Sequence, residues 1–299
     1  MKKIAKWESP SNIALIKYWG KHGGQLPNNP SISFTLTNSK TITSVELVSK
    51  TDKNIEFLFN NDISESFSTR IENFLNSISS ELPFINDYSF IIKSKNTFPH
   101  SAGIASSASA FSALALCLID LKQQLGFKIT DFFSEASYFA RLGSGSACRS
   151  VYGGVALWGE TDLIENSSNK FAVSLNDIIH PIFKNYHDDI IIVNSEKKHI
   201  SSSLGHKLMD TNPYRNIKYK QSKINLNELL LSLKSGNLTD FIRITESEAL
   251  SLHSMMMLSN PSFILLQPKT LQIISEIIRF RNHTKIPISF TLDAGPNVH

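Results

Sequence analysis

Four short stretches of the sequence concentrate side chains that handle phosphate, carboxylate or a proton. In the first, Asn12 to Lys21, Lys17 interrupts an apolar run and Lys21 follows four residues later, beside Tyr18, Trp19 and Gly20. A lysine drawn into such a run either has an anionic partner, because an unpaired buried ammonium is costly, or snorkels to the surface. In the second, residues 99 to 110 hold one Gly, four Ser and four Ala just before an apolar helix. Small side chains there let a ligand approach free N–H groups at the positive end of the helix dipole, which suits phosphate, and Ser106 and Ser107 add hydroxyl donors. A closely packed helix start would have the same composition, and the Gly-Lys spacing of a Walker loop is absent. In the third, Gly143 to Ser150, serine hydroxyls accompany one cation, Arg149. Its guanidinium either grips a carboxylate or phosphate at two points or closes a structural ion pair. In the fourth, Asp293 to Asn297 follows the expected strand Ile288 to Leu292. These are ordinary turn formers, yet an aspartate at a strand end facing a phosphate-lined cleft is well placed for catalysis.

The elements that must position these groups follow from periodicity. Alternation over 31–48 predicts two strands separated by a turn at Asn38, Ser39 and Lys40, and Tyr88 to Ile92 reads as another strand. Phe67, Ile71, Phe74, Leu75 and Ile78 form a helical stripe within 64–79. Helices are also expected at Phe111 to Leu121, 131–141, 226–235, 238–257 and 268–281. Val151 to Trp158, Ile190 to Val193 and 287–292 read as strands, the second of them buried, and Glu160 to Lys170 as a polar surface loop. A subdomain boundary is placed between residues 180 and 190.

With 299 residues and 41% apolar content, the chain can bury a sizeable core. Its net charge of +4 is spread along the sequence, which argues against a nucleic-acid-binding stripe. The longest apolar stretch, Ala113 to Ile119, falls far short of the roughly 20 residues of a membrane-spanning helix. Lys2, Lys3 and Lys6 are followed by Trp7, Glu8, Ser9 and Pro10 where a secretory signal needs an apolar region, so a cytoplasmic protein is expected. Cys117 and Cys148 are too few for a disulfide framework.

Taken in this order, Ser11 to Lys21, Gly103 to Ala108, Gly143 to Ser150 and Asp293 to Asn297 resemble the motifs of the GHMP kinase superfamily. Within it they are similar to the diphosphomevalonate decarboxylase family. The resemblance implies an α+β, GHMP-kinase-like two-lobed fold. A ribosomal-S5-domain-2-like N-terminal lobe over 1–185 would carry the phosphate loop, and a ferredoxin-like α/β C-terminal lobe would occupy 186–299. It further implies ATP and Mg²⁺ as cofactors, mevalonate 5-diphosphate as substrate, and a homodimer. The implied reaction phosphorylates a tertiary alcohol and then expels phosphate and carbon dioxide to leave isopentenyl diphosphate.

By position, Asp293 matches the family's catalytic aspartate, Lys17 its active-site lysine, and Arg149 the arginine that holds the substrate carboxylate. Ser107 matches the serine near the transferred phosphoryl group, within an ATP-binding loop made of Gly103, Ile104, Ala105, Ser106, Ser107 and Ala108. Asn12, Tyr18, Lys21, Ser144, Ser146, Ser201 and Ser202 are implied on the substrate side. A decarboxylase for the monophosphate, a superfamily kinase that stops at the phosphate ester, and a binding protein without turnover are the alternatives. Two departures stand out: the loop opens Pro99, His100, Ser101 where the family more often has Pro-Thr-Ala, and the sequence ends six residues past Asp293. Relatives continue for some tens of residues, so a truncated chain is expected, with the strand at 287–292 left without a return partner.

Overall fold

The computed structural model describes residues 2–98, 106–194 and 202–299. Its strands are β1 (Lys3–Ala14), β2 (Lys21–His22), β3 (Leu26–Pro27), β4 (Ser31–Ser49), β5 (Ile55–Phe59), β6 (Asp62–Ile63), β7 (Tyr88–Asn96), β8 (Val155–Trp158) and β9 (Ala172–Ser174). Its α-helices are α1 (Glu65–Ile78), α2 (Ser106–Gln124), α3 (Phe132–Gly143), α4 (Ala147–Ser150), α5 (Ser202–Leu208), α6 (Arg215–Ser235), α7 (Leu238–Met257) and α8 (Pro268–Thr284). One sheet runs in the order β6-β5-β7-β4-β8-β9, with β1 also paired to β4, while β2 and β3 form a separate small hairpin.

The long strand β4 organises this sheet. Thr41, Thr43, Val45 and Leu47 alternate onto the buried face, as a period-2 pattern requires. The expected turn at Asn38 to Lys40 is corrected: β4 continues through it as one strand. The irregularity is a register shift, in which Pro10 pairs with Lys40 but Ser11 with Leu36, so β1 and β4 bend together instead of reversing. Thr97 takes up the freed groups, its hydroxyl donating to the Asn38 carbonyl and its amide to that of Lys40.

Helices cover both faces of the sheet. On one, Val45, Leu47, Phe57, Phe90 and Ile92 pack against α2, which is apolar all round and correspondingly buried, with α1 and α3 outside it. On the other, Leu15, Ile16, Ile32, Val155 and Leu157 pack against Leu226, Leu229 and Leu233 of α6 and Phe241 and Ile244 of α7. This second core draws on residues from both sides of the expected division at 185/186.

Helix α6 begins at Arg215, well before the expected 226, because Lys218 and Ser222 occupy inward positions and interrupt its apolar stripe. Strand β8 begins at Val155, since Gly154 (φ +81°) still belongs to the preceding turn. Ile190 to Val193 is not a buried strand: Ile191 and Ile192 are exposed, and the pairing is a single antiparallel bridge from Ile191 to Val298. Residues 287–292 do not form a named strand. Thr291 nevertheless has a return partner, because the chain folds back after Asp293, so that Thr291 and His299 exchange hydrogen bonds of 2.9 and 3.0 Å.

Candidate active site

Beyond β1 the chain turns inward. The amides of Leu15 and Ile16 both donate to the carbonyl of Ile32, which fixes the next residue, Lys17, inside the core at 2% exposure. Its Nζ donates to the Ala14 carbonyl at 2.5 Å and to Asp293 Oδ1 at 3.2 Å. The buried-cation alternative therefore holds and the snorkelling one does not. Burial holds the Lys17 pKa below the ordinary value, while Asp293 and, less strongly, Glu248 act to raise it. Without these carboxylates the ammonium would tend to give up its proton, because a lysine buried this deeply has lost the hydration that stabilises its charge.

Asp293 is presented by a turn anchored from several sides. Phe290, Leu292 and Val298 are buried against Ala249 of α7 and Ile274 of α8. His253 Nε2 lies 3.0 Å from the Asp293 carbonyl, Gly295 donates to the same carbonyl, and Thr270 donates to the Pro296 carbonyl at 2.7 Å. Asn297 Oδ1 accepts from the amides of Val193 and Asn194. The Asp293 side chain keeps 28% of its surface exposed.

Arg149, on the one-turn helix α4, is 2% exposed. Its Nε donates to Ser33 Oγ at 3.0 Å and its Nη2 to Asn12 Oδ1 at 3.2 Å. Asn12 is held in turn by donating to Ser150 Oγ at 2.7 Å and to the Ser146 carbonyl at 3.2 Å. Among the described residues Arg149 makes no ion pair, and its Nη1 has no hydrogen-bond partner. Burial works against the guanidinium's charge and Asp293 supports it, which places Arg149 within electrostatic reach of the Lys17–Asp293 pair. A buried cation with an unmet donor is a poor structural device and a good receptor for an anion.

The other expected residues separate into two groups. Ser107, in the first turn of α2, lies 3.4 Å from Ser144 through their hydroxyls, and Ser144 lies in the segment that links α3 to α4, the helix of Arg149. The glycines there have a packing role: a Cβ on Gly143 would sit 2.1 Å from the Phe111 ring, and one on Gly145 2.7 Å from the Tyr18 hydroxyl. Tyr18 is wedged between Trp158 and His206, with ring centroids 4.7 and 4.4 Å away, and Lys21 donates to Gln25 Oε1 at 2.7 Å. Ser106 and Ser107 open α2, and Ala108 is fully buried behind them. Gly103, Ile104, Ala105 and Ser201 lie outside the described residues, and Ser202 opens α5.

Sequence reasoning missed a cavity of about 270 Å³ beside α2, lined by Phe57, Phe59, Phe67, Phe111 and Arg70 together with Ser106 and Ser107. The Arg70 guanidinium lies 4.8 Å from the Phe111 ring centroid, and partial burial lowers its pKa with no carboxylate contributing. Burial also lowers the Lys21 pKa, with Arg70 adding to the effect, so the two cations lie within electrostatic reach of each other. An apolar, aromatic hollow next to serines at a helix mouth suits a heterocycle carrying phosphates. Among the described residues no group of three or more His, Cys, Asp or Glu is arranged to hold a metal ion.

Comparison with known families decides what this arrangement belongs to. Residues 9–170 match the model of the diphosphomevalonate decarboxylase-like N-terminal domain, and residues 189–299 that of the mevalonate 5-diphosphate decarboxylase C-terminal domain. The chain belongs to the diphosphomevalonate decarboxylase family. The diphosphomevalonate decarboxylase of Ganoderma lucidum is 31% identical over 97% of this chain and 76% of its own length. The crystal structure of mevalonate diphosphate decarboxylase from Staphylococcus aureus matches at a TM-score of 0.83 and 30% identity, covering 100% of this chain and 87% of that one. A further relative, MDDEF in complex with MVAPP, AMPPCP and magnesium, matches at a TM-score of 0.81 and 29% identity, covering 100% and 88%. The α+β, two-domain architecture of the diphosphomevalonate decarboxylase family is therefore the fold of this chain.

Proposed function

We propose that the chain catalyses the ATP-dependent decarboxylation of mevalonate 5-diphosphate to isopentenyl diphosphate, releasing ADP, phosphate and carbon dioxide. The observation that carries the residue roles is Arg149: buried, without a carboxylate partner among the described residues, and within electrostatic reach of the Lys17–Asp293 pair. Its open Nη1 receives the substrate carboxylate, while Asn12 and Ser33 fix the plane of the guanidinium.

Asp293 orients the tertiary hydroxyl and accepts its proton as the oxygen attacks the γ-phosphorus of ATP and ADP departs. Lys17, charged and pre-positioned, stabilises the negative charge of the phosphoryl group in transfer. The phosphate then leaves with the C–O electron pair, and the bond to the carboxylate breaks so that its electrons form the alkene and carbon dioxide is released. The first turn of α2, with Ser106 and Ser107, receives the ATP phosphates, and the aromatic cavity takes the base. Mg²⁺ fits this donor set as a companion of the nucleotide, carried mainly by phosphate oxygens, where it would neutralise part of their charge. Ser144, Ser146, Tyr18 and Lys21 serve the diphosphate side of the substrate, and Ser201 and Ser202 are assigned to substrate binding by their match to the family's Ser-Ser pair. A homodimer in the cytoplasm completes the reading; among the described residues no helix is long and apolar enough to cross a membrane.

An assay that follows ADP and carbon dioxide together, with mevalonate 5-diphosphate and with the monophosphate, tests this function. Equimolar release with the diphosphate supports it. ADP without carbon dioxide would mean a kinase, and preference for the monophosphate would reassign the substrate. The cavity has its own test. Ala110 lines it beside Phe111, and Ala110→Leu is expected to raise the KM for ATP about tenfold or more with little change in kcat, as loss of uniform binding does. An unchanged KM would place the base elsewhere.

A further inference from the structure

Glu248 of α7 is a fully buried carboxylate that the chemistry above does not use. Its Oε2 accepts from Lys218 Nζ at 2.7 Å and from the backbone amide of Lys17 at 3.0 Å, and its Oε1 accepts from Asn225 Nδ2 at 2.7 Å, with Ser222 Oγ close to both oxygens. Three of these partners lie on α6, and a helix–helix clamp would need nothing more. The fourth reaches out of the helical pair into the loop after β1, to the residue whose ammonium meets Asp293.

We propose that Glu248 is a positioning residue for Lys17: its carboxylate holds the Lys17 amide so that α6 and α7 set the backbone from which the ammonium reaches Asp293. This rests on the catalytic reading of Lys17 and Asp293. The Lys17 side chain also donates to the carbonyl of Ala14 and its carbonyl accepts from Asn29 Nδ2 at 3.1 Å, so the residue is tied to β1 through its side chain, to Asn29 through its carbonyl and to α7 through its amide. Release of the amide would let the loop move while the Ala14 contact remained, and the ammonium would lose its register against the reacting phosphoryl group. Misplacement of a catalytic group lowers kcat more than it weakens substrate binding. The buried charge of Glu248 also helps keep Lys17 protonated, in the same direction as Asp293 and against Arg149.

Two double variants separate positioning from simple support of the helices. Glu248→Leu with Lys218→Met removes the buried ion pair and the acceptor for the Lys17 amide, and Glu248→Gln with Lys218→Met removes the pair but keeps an acceptor. Replacing a buried pair with apolar side chains is commonly tolerated, so both are expected to fold. The Leu double should lose kcat by about 10- to 100-fold with KM values for ATP and substrate within about twofold, whereas the Gln double should stay within about threefold of the parent. Equal kcat in the two doubles would overturn the proposal. Should the Leu double not fold, Glu248→Asp carries the test, because it keeps the charge but withdraws the acceptor by one carbon. A drop in kcat at constant KM supports positioning, and an unchanged kcat overturns it. Lys17→Met serves as the control: if it turns over normally, the catalytic reading of Lys17 fails, independently of what Glu248 does.

Discussion

Asp293→Asn is expected to lower turnover by a factor of about 100 or more, the scale on which a positioned general base contributes. The substitution preserves the size of the side chain, and the turn that presents it is held by other groups: the Thr291–His299 bonds, the buried Phe290, Leu292 and Val298, and the Thr270 contact to Pro296. Thermal stability should therefore change little, and ATP and substrate should still bind. The amide can still face Lys17, but it offers neither negative charge nor basicity to the substrate hydroxyl. ADP and carbon dioxide should fall together, because decarboxylation waits on phosphorylation. Normal ADP release with carbon dioxide alone missing would move Asp293 to the second step.

Arg149→Lys should lose activity on a comparable scale, about 100-fold in kcat/KM, although the charge is kept. In the parent, Nε and Nη2 are committed to Ser33 and Asn12, which leaves Nη1 for the substrate. An ammonium has no plane for those two bonds to fix, so it cannot hold Asn12 and present a directed donor at once. Kinetics with each substrate varied in turn would separate the outcomes. A raised KM with a lowered kcat fits a carboxylate grip, and parental values of both would make Arg149 a packing residue only.

Much of this was legible because physical constraints leave local marks. Lys17 was conspicuous as a charge inside an apolar run, and it is indeed buried against a carboxylate. Helices α1, α3, α7 and α8 kept a regular apolar stripe and were found close to their bounds. What stayed hidden depended on contacts distant in sequence. Nothing local to β4 says that its irregularity is a bend shared with β1, because the partner register decides it. Phe67 belonged to the α1 stripe and read as core, yet with Phe57 and Phe59 it borders a cavity. Arg70, about one helical turn from Phe67 and Phe74, carries no local mark that sets it apart from an ordinary solvated arginine. Glu248 carried the same kind of signal as Lys17, an ionisable group at an inward position of a helix, and the polar inward face of α6 is its counterpart.

The ion pair that joins Lys17 to Asp293 spans 276 positions of the chain. During synthesis, then, the loop that carries Lys17 and the helix that carries Arg149 leave the ribosome long before the carboxylates of Glu248 and Asp293 do. Domains fold as they emerge, from the N-terminus onward. The early product holds Lys17 next to Leu15 and Ile16, which α6 and α7 do not yet cover, so water can still solvate its ammonium. Only arrival of the segment around Asp293 exchanges that water for counter-charges, so catalytic competence waits on that segment, and nascent chains that stop short of Asp293 are inert.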